Sequence, residues 1–318
     1  MKKILTLLLS LTLVFAAGCS SSGSSIRFGS AAVGGVYSSF ANAFTQIVSQ
    51  ETEDYEFTVK STAGSAANLR LLSDNYIQMA IAQADLTADA CAGKGQFEGD
   101  PQTDYRAIAA LYTEACQIIV RADSDIQTPD DLLKKKISVG ETDSGSEKNA
   151  EQILQIYGLS DNLIETVNMN YTEEAEALSS GRIDAIFCTA GTQTSMIERL
   201  AQKCDIRLLS IDATHMEKLL AESDTYSNYT IPAGTYTGQQ EDVTTIGVSA
   251  LLLARTDLDD KTVEKLTGIL FNHAQDISYA TSLNLTLTPE QAVKNVPVPF
   301  HKGAAAYYEK QGLSVTTE

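Results

Sequence analysis

Apolar and polar residues alternate along the chain with two different periods. Ile26-Arg27-Phe28-Gly29-Ser30 reads as a strand end, and the next segment places Val36, Phe40, Phe44, Ile47 and Val48 on one helical face. Residues 55–60 predict a second strand, 66–72 a second helix and 77–82 a third strand. Further on, Ile137-Ser138-Val139-Gly140 precedes a helix carrying Ile153, Leu154 and Ile156. Residues 183–187 precede another carrying Ile197 and Leu200. Strands that alternate with helices predict an α/β fold, with parallel sheet covered by helices. No internal repeat of solenoid period interrupts the pattern.

Two longer β runs stand out. Cys116-Gln117-Ile118-Ile119-Val120-Arg121 leads to Thr128 and Pro129, which predict the cap and first position of a helix. Residues 244–255 lead to an amphipathic helix with Val263, Leu266, Ile269 and Leu270. Two long strands bracketing a middle region predict two crossings between domains. The expected division is a discontinuous first domain, 26–115 plus 245–318, and an inserted second domain, 116–244. That is a bilobed molecule with a central cleft.

The first residues bear on the compartment. Met1-Lys2-Lys3 is basic, 4–15 is an apolar run, and Ala16-Ala17-Gly18-Cys19 supplies small residues before a cysteine. The order matches a secretory signal and resembles a bacterial lipobox, with Ala16 where Leu is commoner. The run is short for a spanning helix. The expectation is a lipoprotein signal over 1–18, a lipid-bearing Cys19 and a flexible tether over 19–25. The 318-residue chain has 23 basic and 41 acidic side chains, a formal charge of −18. That balance opposes binding to a nucleic-acid backbone or to anionic lipid heads. Cys91, Cys116, Cys188 and Cys204 lack metal-ligand spacing. Cys116 and Cys188 are expected as buried packing residues, and a Cys188–Cys204 bridge is left open.

Candidate chemistry lies at the strand-to-helix turns. The first turn contains Ser30, Gly34, Gly35, Val36 and Tyr37; paired glycines admit positive φ and close backbone approach. The second is Ser61-Thr62-Ala63-Gly64-Ser65-Ala66-Ala67-Asn68, and the third is Asp143-Ser144-Gly145-Ser146-Glu147. Helix starts present free N–H groups and a positive dipole end, so three of them around one cleft suit a carboxylate. Ser144-x-x-Glu147 is equally a capping box. Gln83-Ala84-Asp85 adds an amide and a carboxylate, with Asp85 either an ammonium acceptor or a helix cap. Ala190 and Gly191 complete the candidate set from the second domain. His215, His273 and His301 belong to no zinc or triad pattern, and no nucleophile elbow or P-loop is present. No cofactor and no enzymatic activity are expected.

Taken in order, the motifs resemble those of TAXI receptors, the substrate-binding proteins of one branch of TRAP transporters. The matching stretches begin with Gly34-Gly35-Val36-Tyr37, residues 61–69, Gln83-Ala84-Asp85 and Ser144-Gly145-Ser146. They continue with Gly181-Arg182-Ile183-Asp184-Ala185, residues 231–236 and Pro297-Val298-Pro299-Phe300-His301-Lys302-Gly303-Ala304. The resemblance spans nearly all of the chain after the signal. It implies a type II periplasmic-binding-protein fold, a glutamate-, glutamine- or dicarboxylate-like ligand, and ion-gradient-driven uptake through TRAP permease subunits, often fused. Ala63 and Val33 depart from the pattern, standing where glycine and a small or hydroxyl residue are common. Competing classes are an ABC-type receptor of the same fold, a ligand-sensing or adhesive lipoprotein, and an exported hydrolase. Aromatic stacking residues would favour the ABC reading for a pyrimidine precursor, and the chain has no Trp.

Overall fold

The computed structural model describes residues 24–281 and 286–318. The expected signal segment, Cys19 and the tether as far as Gly23 lie outside the described residues. The first strand, β1 (Ser24–Gly29), pairs Ser24 with Tyr55 and Ser25 with Glu56, so the end of the expected tether is part of the sheet. The chain continues through α1 (Val36–Glu51), β2 (Tyr55–Lys60), α2 (Ser65–Ser73), β3 (Met79–Gln83) and α3 (Ala84–Ala92) to the long β4 (Tyr105–Arg121). The middle region holds β5 (Lys136–Ser138), α4 (Gly145–Ile156), β6 (Glu165–Val167), α5 (Tyr171–Ser179), β7 (Ala185–Ala190), α6 (Ser195–Lys203), β8 (Ile206–Leu208), α7 (Ala213–Glu222) and β9 (Tyr226–Ile231). The second long strand, β10 (Val243–Arg255), is followed by α8 (Asp260–Asn272), α9 (Ala274–Thr281), α10 (Pro289–Ala292) and α11 (Lys302–Lys310).

The strands form one curled mixed sheet in the order β2-β1-β3-β10-β4-β7-β5-β6, with β8 on β4 and β9 on β10. Each flank is a parallel trio, β2-β1-β3 and β7-β5-β6. The antiparallel pair β10–β4 joins them. At about 3.3 Å per residue, β4 extends on the order of 50 Å, long enough to serve both halves. Every residue of β3 and β7 is buried, as expected for strands covered by helices on both faces. The edge strand β2 alternates instead between half-buried and exposed. The result is the bilobed α/β architecture expected from the alternation.

Local chemistry explains two departures. Thr128 and Pro129 open only a four-residue 3-10 turn, Pro129–Leu132, and not an α-helix, because the chain turns extended at Leu133 and Lys134 takes φ +63°. The Asp131 carboxylate accepts the Thr128 N–H and hydroxyl and so closes the turn. The four described cysteines are free, so Cys188 is not bridged to Cys204, and Cys116 and Cys188 are buried in strands.

The Pro-Val-Pro-Phe-His-Lys-Gly stretch is a helix start. His301 Nδ1 accepts the Gly303 N–H and caps α11, and burial lowers the imidazole pKa, which keeps that nitrogen an acceptor. Gly303 lets α11 lie against α8: a Cβ there would sit 2.1 Å from the Asp260 carbonyl oxygen and 2.9 Å from Glu264 N. Gly303→Ala is therefore expected to lower stability by about 1–3 kcal/mol through overpacking. Urea midpoints of the two proteins check this; equal midpoints would mean the helices separate at no cost.

Candidate ligand-binding site

The carboxyl ends of the two parallel trios meet at a small cavity, the position at which α/β sheets commonly bind ligands. It encloses about 40 Å³, room for only a few water molecules. From the β2-β1-β3 side it is lined by Gly35, Val36, Tyr37, Ala63, Gly64, Ser65 and Gln83. From the β7-β5-β6 side come Ser144, Gly145, Ser146 and Ala190. These expected residues are brought together from segments more than a hundred positions apart in sequence.

Three helices begin here. Gly35 caps α1 in extended conformation, and a Cβ on it would lie 2.9 Å from the Tyr171 ring. Gly64 caps α2 with φ 129° and ψ −144°, a region open essentially to glycine alone. A Cβ there would reach Ser144 Cα at 3.5 Å. Ser144 caps α4, its Oγ accepting the Glu147 N–H at 3.1 Å. Glu147 in turn accepts the Asp143 N–H at 2.7 Å, one residue before the cap, so the expected capping box forms with a one-residue offset. The opening N–H groups of Val36, Ser65 and Gly145 have no acceptor within their own helices. The next two N–H groups of α2, on Ala66 and Ala67, both donate to the Asp143 carbonyl across the cleft at 3.1 Å.

A directed hydrogen-bond chain crosses the cavity wall. The Gln83 backbone N–H donates to Ser65 Oγ at 3.1 Å, and Ser65 Oγ lies 3.3 Å from the Tyr37 hydroxyl. That hydroxyl donates to Glu114 Oε2 at 2.7 Å. Glu114 is 2 % exposed. Burial, aided by Asp85, pushes its carboxyl up to about 8 against the opposing hydrogen bonds from Tyr37 and Gln83. Tyr37 is driven well above its ordinary range by burial and the neighbouring Glu114, so it remains a donor. Gln83 packs directly on Gly145, where a Cβ would overlap its amide at 2.3 Å. Its buried Oε1 has no hydrogen-bond partner among the described residues. Among the described residues no Lys, Arg or His lines the cavity.

Five expected residues lie elsewhere. Ser30 turns its hydroxyl to the Lys60 carbonyl at 3.0 Å. Thr62 donates to the Ser30 carbonyl and to Asn68 Oδ1, while Asn68 Nδ2 donates to Ser30 O at 2.6 Å and Ile81 O at 2.9 Å. These three side chains brace the turns that shape the cavity. Asp85 sits in the first turn of α3, neither capping it nor lining the cavity; it accepts from Asn149 and Tyr226, each at 3.0 Å. Gly191 lines a separate, wider cleft of about 770 Å³ beside Tyr112, Gln193 and Lys294. Ser146, although in the wall, uses its oxygen to accept the Thr189 N–H at 2.9 Å.

Sequence reasoning missed Ala31, Glu114, Tyr171 and Thr189 in the wall. Glu114 carried a signal: it is the one acidic residue between Ala107 and Val120 in an otherwise largely apolar strand. Tyr171 carried none, since its place depends on how α5 meets the α1 turn.

This architecture, two α/β halves with a cavity between them, is the periplasmic-binding-protein-like fold. The sequence matches the NMT1-like family over residues 28–312, and the chain belongs to that family. Its fold is similar to the alkanesulfonate-binding protein SsuA from Xanthomonas axonopodis pv. citri bound to MOPS. The identity is 15%, the coverage 91% of each chain and the TM-score 0.50. It is also similar to a putative L-cystine ABC transporter from Listeria monocytogenes, at 14% identity, 81% and 94% coverage and TM-score 0.53. An ancestral arginine-binding protein bound to arginine gives 14% identity, 82% and 98% coverage and TM-score 0.50. Among the described residues no helix is long and apolar enough to cross a membrane, and no group of His, Cys, Asp and Glu is placed to hold a metal.

Glu114 makes stability depend on pH with a definite sign. A carboxyl raised in the folded state stabilises fully below its unfolded value near 4.5, and that contribution is lost as pH rises through about 8. The urea midpoint of the parent protein is expected to fall more steeply between pH 5 and pH 8.5 than that of Glu114→Gln. Parallel profiles would show that Glu114 is ionised throughout.

Proposed function

We propose that this protein is the extracytoplasmic receptor of a TRAP-type uptake system of the TAXI branch, capturing a small carboxylate or amino acid such as glutamate or glutamine. The observation that carries the reading is the convergence of three helix starts, from both halves of the molecule, on one cavity without a cationic side chain. A chain of charge −18 does not attract an anion through its overall field. Helix N–H groups supply local positive potential without a counter-charge that must itself be desolvated.

The receptor works as two lobes, 26–115 plus 245–318 and 116–244, moving about the shared strands β4 and β10. A cavity of about 40 Å³ admits a solute of this size only after the halves part. Ligand then favours closure because it contacts both sides only when they approach. Lipid on Cys19 holds the protein at the outer face of the membrane, beside a permease that is fused in many members of the branch and is driven by an ion gradient. The fold neighbours named for sulfonate, cystine and arginine support a second reading, an ABC-type receptor. Uptake into vesicles carrying the cognate permease separates the two, since one needs an ion gradient and the other ATP.

A thermal-shift screen of amino acids and carboxylates tests the capture step. A ligand at 100 times its Kd should add about 2.7 kcal/mol of stability. Gly145→Ala, which drives a methyl group into the Gln83 amide, should weaken that ligand at least about tenfold, or about 1.4 kcal/mol. Unchanged affinity would displace the site from this cavity. Cys19→Ser should abolish labelling by a radioactive fatty acid and release the protein from membranes; persistent labelling would refute the anchor.

A further inference from the structure

We propose that Glu114 is the acceptor for the ligand's ammonium group and gives up its proton when that group arrives, so that capture of an amino acid releases a proton to solvent. This rests on the receptor reading and adds to it a residue, a charge requirement and a proton count.

The geometry has two poles. On one side stand the helix starts at Val36, Ser65 and Gly145, positive in potential. The other is Glu114, on β4, the strand both halves share, and the only carboxylate among the described residues of the cavity wall. Beside Glu114 in the same wall, Gln83 presents an Oε1 that is buried and has no partner among the described residues, an acceptor for a second N–H of the same ammonium. An α-amino acid carries its two charges a few ångströms apart and satisfies both poles at once. A dicarboxylate without an amine satisfies only the first.

The groups around Glu114 explain why its charge must come and go. Tyr37 faces it from α1, Gln83 from β3, Asp85 from α3, Tyr112 from its own strand, Tyr171 from α5 and Cys188 from β7. None is a cation. Lys148 is paired with Asp89 and acts on Asp85. A carboxylate buried among such neighbours is costly, so the acid keeps its proton near neutral pH, as its upward shift to about 8 indicates. An ammonium within about 4–6 Å reverses the balance, lowering a carboxyl by about 1–3 units. The Glu114 O–H bond breaks, its proton passes to buffer, and the carboxylate left behind pairs with the unchanged ammonium.

Calorimetry on the purified full-length protein tests this, with phosphate and Tris buffers at pH 7 and a panel of the standard amino acids alongside their desamino analogues, such as glutarate beside L-glutamate. The expected binder is an amino acid that releases about 0.4 to 0.9 of a proton, while its desamino analogue binds at least about tenfold more weakly and releases none. From pH 7.5 down to 5.5 the amino acid should weaken by about threefold in all if the ammonium lowers Glu114 by one unit and by about sixtyfold if by three, since binding then competes with a proton. Glu114→Gln should bind without proton release and lose the preference for the amine. An amino acid that binds with no buffer-dependent heat overturns the proposal, whether or not the variant folds. Capture of desamino carboxylates alone also overturns it, and leaves the receptor reading standing. A panel in which neither amino acids nor carboxylates bind removes both.

Discussion

The ladder between β4 and β10 is the contact on which the rest depends. It pairs Tyr105 with Arg255 at one end and Ala115 with Gly247 at the other, and both strands run on to take further partners. Residues 79–83 of β3 pair with β10, while residues 185–190 of β7 pair with β4. The two parallel trios therefore never pair with each other, and their carboxyl ends are held opposed by a shared pair of strands. Register shifts between Ala250 and Leu251 and between Leu252 and Leu253 interrupt the ladder. Irregularities of this kind bend strands and increase their twist, consistent with the curl of the sheet. Glu114 lies just beyond this stretch, opposite Val248, which puts the cavity's one carboxylate on the strand both halves share.

Polar contacts link the two halves around the cavity. The Asp143 carbonyl takes two N–H groups of α2, Ser195 Oγ donates to the Gly34 carbonyl at 2.9 Å, and Lys148 pairs with Asp89. Behind them Asp85 collects Asn149 and Tyr226. Hydrogen bonds exchanged for water contribute only about 0.5–1.5 kcal/mol each, so such an interface holds the halves together without locking them. The receptor proposed above would need such a balance, because a ligand shifts an equilibrium only by its differential affinity for the two arrangements.

Much of this was legible in the sequence. Strand and helix periods placed the alternation, because β3 and β7 are largely apolar and buried throughout and the helices keep one buried face. The glycine turns led to the cavity because Gly35, Gly64 and Gly145 each sit where a Cβ would meet the opposite half. What the sequence did not separate was contact from bracing. Thr62 and Asn68 carry the same polar groups as Ser65 and Gln83, and only the fold shows that they are consumed by the carbonyls of Ser30 and Ile81. Asp85 follows Gln83 by two residues, but a strand becomes a helix between them, and the turn carries its carboxylate away to Asn149. Glu114 was passed over because a lone acid in an apolar strand acquires meaning only when its neighbours are known to include no cation.

The absence of a basic side chain from the wall has a further physical consequence. An arginine in so small a cavity would be desolvated at every closure, and with no anion present it would oppose closing or need a permanent acidic partner. Helix starts avoid that cost, since their partial charges are fixed in the backbone and part of their demand is met internally, as the Asp143 carbonyl does for Ala66 and Ala67. Glu114 is complementary: burial raises its carboxyl to about 8, so that the cavity can be nearly neutral near pH 7 without a partner. Both poles are thus tolerable in a dry cleft. The same two features are the ones by which the proposed receptor would hold a zwitterion.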